Sequence, residues 1–163
     1  MKEKKVLFMT QAAMIAAIYV VLCVVFAPIS YGEVQVRIAE ALTVLPFFTP
    51  AAVPGLFIGC IIANIIGGSI AVDVVFGSLA TLIGAVGTYL LRKKSRYLAS
   101  VPPIVANVLI VPFVLRYGYG VPLPIPFMMG TVGIGEIVSC GIMGQILIAV
   151  LERYKTAIFK PVS

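Results

Sequence analysis

Glu33, Arg37 and Glu40 are grouped in the stretch Phe26 to Gly59, FAPISYGEVQVRIAEALTVLPFFTPAAVPGLFIG, between two long apolar segments. A charge near the middle of a bilayer costs about 3 kcal/mol on insertion scales unless it is paired or faces water. If the chain is helical from Val34 on, Arg37 and Glu40 are three apart and share a face. Such a set at the mouth of a membrane bundle reads as a solute-binding site. The bland alternative is a solvated interfacial loop with an incidental ion pair. Asn64, Asp73, Asn107 and Glu136 punctuate the later apolar runs and extend the same chemistry. A carboxylate can accept two adjacent N–H donors in bidentate fashion, as on a guanine-like edge.

Other chemistries are poorly supplied. The chain has no histidine, so no Ser/His or Cys/His pair and no HExxH site can form. No GxxxxGK[ST] loop is present to cradle a nucleotide phosphate. Cys23, Cys60 and Cys140 stand far apart in apolar runs, without a CxxC pair, and read as buried, inert thiols. The expectation is a binding protein with no catalytic residue, no metal and no cofactor: a cavity without an engine.

The elements that must hold these groups are membrane helices. Of 163 residues, 61% are hydrophobic and only 11% charged, against about 25% charged in soluble domains. The expected fold class is an all-α integral membrane protein, a single domain of residues 1–163 with six transmembrane helices. The net charge of +6 does not signal nucleic acid, because the basic residues cluster at segment ends. The opening MKEKK and its apolar run resemble a signal peptide, but the run is too long for one, so it reads as a retained first helix.

Turn and breaker signals predict helices over Val6–Phe26, Val36–Phe48, Ala51–Ile66, Asp73–Leu91, Ser100–Leu115 and Phe127–Leu151. Asp73 could be the N-cap of the fourth, and Pro112 is expected to bend the fifth. On the first helix, Ala12 with Ala16 and Ala13 with Ala17 each make a strip where another helix can approach closely. With both termini cytoplasmic, Lys2, Lys4, Lys5, Arg92, Lys93, Lys94, Arg96, Arg153, Lys155 and Lys160 lie inside, and Arg37 and Arg116 outside. The intramembrane polar groups then sort toward the outer half, where Glu33, Glu40, Asp73 and Glu136 oppose Arg37 and Arg116, a formal −2. Either some of those carboxyls are protonated or a cation completes the site. Glu136, the deepest, is the favoured ligand contact, with an ion pair to Arg37 or Arg116 as its alternative. Tyr31, Tyr117 and Tyr119 are candidates to stack on a flat ring.

The long run FAPISYGEVQVRIAEALTVLPFFTPAAVPGLFIGC, followed by IIANIIGG, DVVFGSLATLIGA, VPPIVAN and GIGEIVSC, resembles the QueT family over most of the chain. The resemblance implies a substrate-binding S component of an energy-coupling-factor (ECF) transporter in the bacterial cytoplasmic membrane, assigned to uptake of queuosine precursors. It implies a six-helix S-component bundle with cytoplasmic termini. It also implies an ECF module as partner, with one membrane coupling subunit and two ATPases. An AxxxA face on the first helix would dock the coupling subunit, through Ala12 and Ala16 or through Ala13 and Ala17. Implied ligands are 7-deazaguanines: the 7-cyano and 7-aminomethyl bases, or queuine. In that setting Glu136 would accept from the ring N–H and exocyclic amine, and Asn107 would bond the ring edge. Glu40 or Asp73 would face an aminomethyl cation, Arg37 would orient Glu40, and Asn64 would support the site. The competing readings are an S component for another vitamin or nucleobase, a stand-alone carrier or channel, and a structural subunit without ligand.

Overall fold

A computed structural model describes residues 1–30 and 36–159. Glu33, Tyr31 and Lys160 lie outside the described residues. Helices are numbered in chain order: α1 (Lys2–Val25), α2 (Ile38–Phe47), α3 (Ala52–Ile66), α4 (Ala71–Leu91), α5 (Tyr97–Gly118) and α6 (Ile125–Ile158). No strand occurs among the described residues. Of these, α1, α4, α5 and α6 are long and apolar enough to cross a membrane. The other two are apolar but shorter, so length and composition give four spans where six were expected, the second of those six already expected to be short. At 1.5 Å per residue the 15 residues of α3 cover about 22 Å, below the hydrocarbon thickness of about 30 Å.

The helix α2 is short for a different reason. It is a 3-10 helix of ten residues, with Pro46 inside it. Proline has no N–H to give to an α-helical ladder, and the bonding of Glu40 N to Arg37 O at 2.9 Å starts an i→i+3 register. At about 2.0 Å per residue, α2 reaches roughly 20 Å, the span expected of a longer α-helix. The register also eclipses positions three apart, which stacks Glu40, Thr43 and Pro46. Every residue from Ala39 to Pro46 is buried, and α2 packs against α1, α3, α4 and α6. It is the inner post of the bundle.

Around that post the remaining helices pack in sequence, α1 on α3, α3 on α4, α4 on α5 and α5 on α6. The first contact is backbone against backbone. A Cβ added at Gly55 would fall 2.6 Å from the Ala12 carbonyl oxygen, and one at Gly59 would fall 3.0 Å from Ala16 Cα. Ala12 and Ala16 therefore face α3, whereas Ala13 and Ala17 stay exposed. Along α4 the buried stripe is small or polar (Gly77, Ser78, Ala80, Thr81, Gly84, Ala85, Thr88), and Val75, Phe76, Leu79, Ile83 and Leu90 point outward. That inversion, small inside and large apolar outside, suits lipid as the surrounding solvent.

The helix α5 begins with a 3-10 turn (Tyr97–Ser100), runs as α-helix through Val101–Phe113 with Pro112 inside, and ends as a π-helix (Val114–Gly118). A π-helical stretch (Ile137–Met143) likewise interrupts α6 immediately after Glu136. Such insertions re-aim side chains and recur at functional sites. At the end of the bundle carrying the basic loop, polar contacts are structural. Arg96 pairs with Glu152 at 3.2 Å, Gln145 donates to Ser100 Oγ at 2.8 Å, and Thr49 donates to Gln11 Oε1 at 2.9 Å.

Candidate functional site

Five helices deliver the six sequence-predicted site residues to the opposite end of the bundle: Arg37 and Glu40 at the start of α2, Asn64 late in α3, Asp73 opening α4, Asn107 within α5 and Glu136 in α6. All six are buried. They form two halves joined by Arg37.

The first half is built on Glu40, which is 1% exposed. The Tyr19 hydroxyl, from α1, donates to Glu40 Oε1 at 2.5 Å. The Glu40 backbone carbonyl accepts from Thr43 Oγ1 at 2.5 Å and from Cys140 Sγ at 3.2 Å. The same thiol faces Glu136 Oε2 at 3.2 Å, and the Asn107 amide lies against both carboxyls. Glu40, Glu136 and Cys140 offer donor atoms within 4.8 Å of one another and are, among the described residues, the set that could hold a metal ion. Two carboxyls and a thiol are one ligand short of a closed four-coordinate site, and the thiol is already engaged as a donor.

The second half is built on Asp73. Its Oδ2 lies 3.9 Å from Arg37 Nη2 and accepts from the Tyr119 hydroxyl at 2.8 Å. Asn64 Nδ2 reaches the Asp73 carbonyl at 3.5 Å. Gly77 makes room for this. A Cβ there would fall 2.8 Å from Asp73 Oδ1 and 3.3 Å from Asn64 Nδ2. Asp73 is not the N-cap of α4. Ile70 caps the helix, and Asp73 sits in its first turn with its side chain turned to Arg37 and Tyr119. Three buried carboxyls thus surround one buried guanidinium, a formal −2 if all are ionised. A buried cluster of that composition favours a guest that donates hydrogen bonds or carries positive charge.

Several sequence expectations change. Arg116 takes no part in the cluster, being exposed and donating to the Val121 carbonyl at 3.1 Å. Tyr117 is 76% exposed and stacks on Phe113, so it turns away from the site. Tyr119 contributes its hydroxyl to Asp73. Tyr19, Thr43 and Cys140 were missed by sequence reasoning. The available signals were a tyrosine deep in the first apolar run and a thiol four residues after Glu136.

Apolar helices of membrane length around an inward-turned polar cluster define a multi-pass helical membrane protein whose polar groups face its own interior. Within that class the chain belongs to the QueT transporter family, whose pattern it matches over residues 9–153. It is 36% identical over 85 residues to the queuosine precursor transporter QueT of Lactococcus lactis subsp. cremoris (strain MG1363), a match covering 51% of this chain and 50% of that relative. The match thus spans about half the length of the curated relative. No solved structure matches the chain significantly.

Proposed function

We propose that this chain is the substrate-binding S component of an ECF transporter, capturing a queuosine precursor of the 7-deazaguanine class for ATP-driven uptake. The observation that carries the reading is the convergence of Arg37, Glu40, Asn64, Asp73, Asn107 and Glu136 in one buried cluster opposite the basic loop. In a plasma membrane oriented by that loop, the buried cluster lies in the exterior half of the bundle. The helix α2 then runs from the site to the Thr49–Gln11 contact and α3 returns, giving six passes with both termini cytoplasmic. Family membership and the substrate in the relative's name support the ligand class.

In this reading Glu136 and Asn107 accept and donate along the base edge. The excess of carboxylate over guanidinium favours 7-aminomethyl-7-deazaguanine or queuine, which carry a protonated amine, over the neutral nitrile. Arg37 holds Asp73 and borders Glu40. Energy comes from an ECF module of one coupling subunit and two ATPases, docked on the exposed Ala13 and Ala17 face of α1. The test is a binding titration of the purified chain with 7-aminomethyl-7-deazaguanine. Glu136→Gln should weaken binding at least tenfold, since a hydrogen bond to a charged group contributes about 1.5–3 kcal/mol. Unchanged affinity would remove Glu136 from the site, and a preference for an unrelated vitamin over deazaguanines would overturn the ligand class.

A further inference from the structure

We infer that Tyr19 is a positioning residue of the ligand site: its phenol engages one oxygen of Glu40 so that the other is presented to the bound base. The inference rests on the ligand-site reading above. Tyr19 is wholly buried on α1. Its Cβ lies against α3, where a carbon added at Gly59 would come within 3.1 Å of it. The close approach of α1 to α3 leaves the ring little freedom. From that seat the hydroxyl donates to Glu40 Oε1 at 2.5 Å.

The second oxygen tells the other half. Glu40 Oε2 is buried and has no hydrogen-bond partner among the described residues, with the Asn107 amide beside the same carboxyl. A buried carboxylate oxygen without a donor is an exception that needs a physical reason. A phenol donating to Oε1 sets the plane of the carboxyl and satisfies one side of it. A guest's N–H or ammonium group then completes the other. The resulting acceptor is a single directed oxygen, which selects for a donor at one place on the guest. Tyr19 touches no ligand in this arrangement and acts only through Glu40.

The test is a double-mutant cycle on the purified full chain, titrated with 7-aminomethyl-7-deazaguanine and followed by ligand-induced infrared difference spectra. Tyr19→Phe keeps the packed ring and removes the donor. Glu40→Gln keeps the size of the side chain but removes the directed carboxylate through which Tyr19 acts, so it forms the second arm of the cycle. The expected result is a loss of affinity of about tenfold for Tyr19→Phe, on the scale of one charge-assisted hydrogen bond. That loss should shrink below about twofold in the Glu40→Gln background, as for residues acting through a shared group. The ligand-induced carboxylate band that disappears in Glu40→Gln should also shift in Tyr19→Phe, a change that a purely packing role would not produce. Native affinity in Tyr19→Phe, or a loss undiminished beside Glu40→Gln, overturns the inference. If Glu136→Gln weakens binding while Tyr19→Phe does not, the site reading stands and only this inference fails. If neither variant weakens it, the site reading fails as well.

Discussion

Replacing Arg37 by methionine removes the cation that joins the two halves of the polar cluster and leaves Glu40, Asp73 and Glu136 buried without it. The Arg37–Asp73 separation of 3.9 Å corresponds to about 4 kcal/mol of attraction at an effective dielectric of 20. Removing one partner of a buried pair costs about 3–5 kcal/mol, because the remaining charge stays desolvated. The Tyr119 bond to Asp73 survives the change and softens it. A loss of about 3 kcal/mol is therefore expected. The assay is reversible unfolding of the purified chain by SDS in mixed micelles. Adding Asp73→Asn to Arg37→Met should recover more than half of the loss, since it removes the stranded charge and keeps an acceptor for Tyr119. A loss below about 1 kcal/mol for Arg37→Met, or no recovery in the double variant, would refute the account of Arg37 as the cation that joins the two halves of the cluster.

Four further outcomes are expected. Gly59→Leu should destabilise the chain by about 3 kcal/mol, at the upper end for overpacking, because the new carbon meets Ala16 backbone. Gly130→Ala, with nothing within 4 Å of the added carbon, should leave the same unfolding curve unchanged or slightly stabilised. Tyr119→Phe should speed amide exchange in the segment 119–124 without altering exchange at the basic loop, since it cuts the hydroxyl bond that ties this segment to Asp73. In a reconstituted complex, a cysteine at Ala13 should cross-link to the coupling subunit while one at Ala12 does not. Equal cross-linking from both would refute the assignment of the docking face.

Much of the protein was legible in its sequence, for identifiable reasons. A bilayer interior rewards long apolar runs and penalises charge, so composition alone announced a helical membrane protein. Proline and glycine placed most helix boundaries within a few residues. The rarity of polar groups in those runs made Arg37, Glu40, Asn64, Asp73, Asn107 and Glu136 conspicuous before any geometry was known. Periodicity did not reveal that α2 is a 3-10 helix, because Pro46 and tertiary packing on all sides decide its register. Nor did spacing choose between Ala12 with Ala16 and Ala13 with Ala17. Both strips satisfy the same small-residue pattern, and only the position of Gly55 and Gly59 on α3 turns one inward. The partners of each acidic group belong to the fold as well. The hydroxyls of Tyr19 and Tyr119 reach Glu40 and Asp73 from elements 21 and 46 residues away in sequence. Hydropathy reports how costly a buried charge is, whereas which neighbour offsets that cost depends on three-dimensional packing.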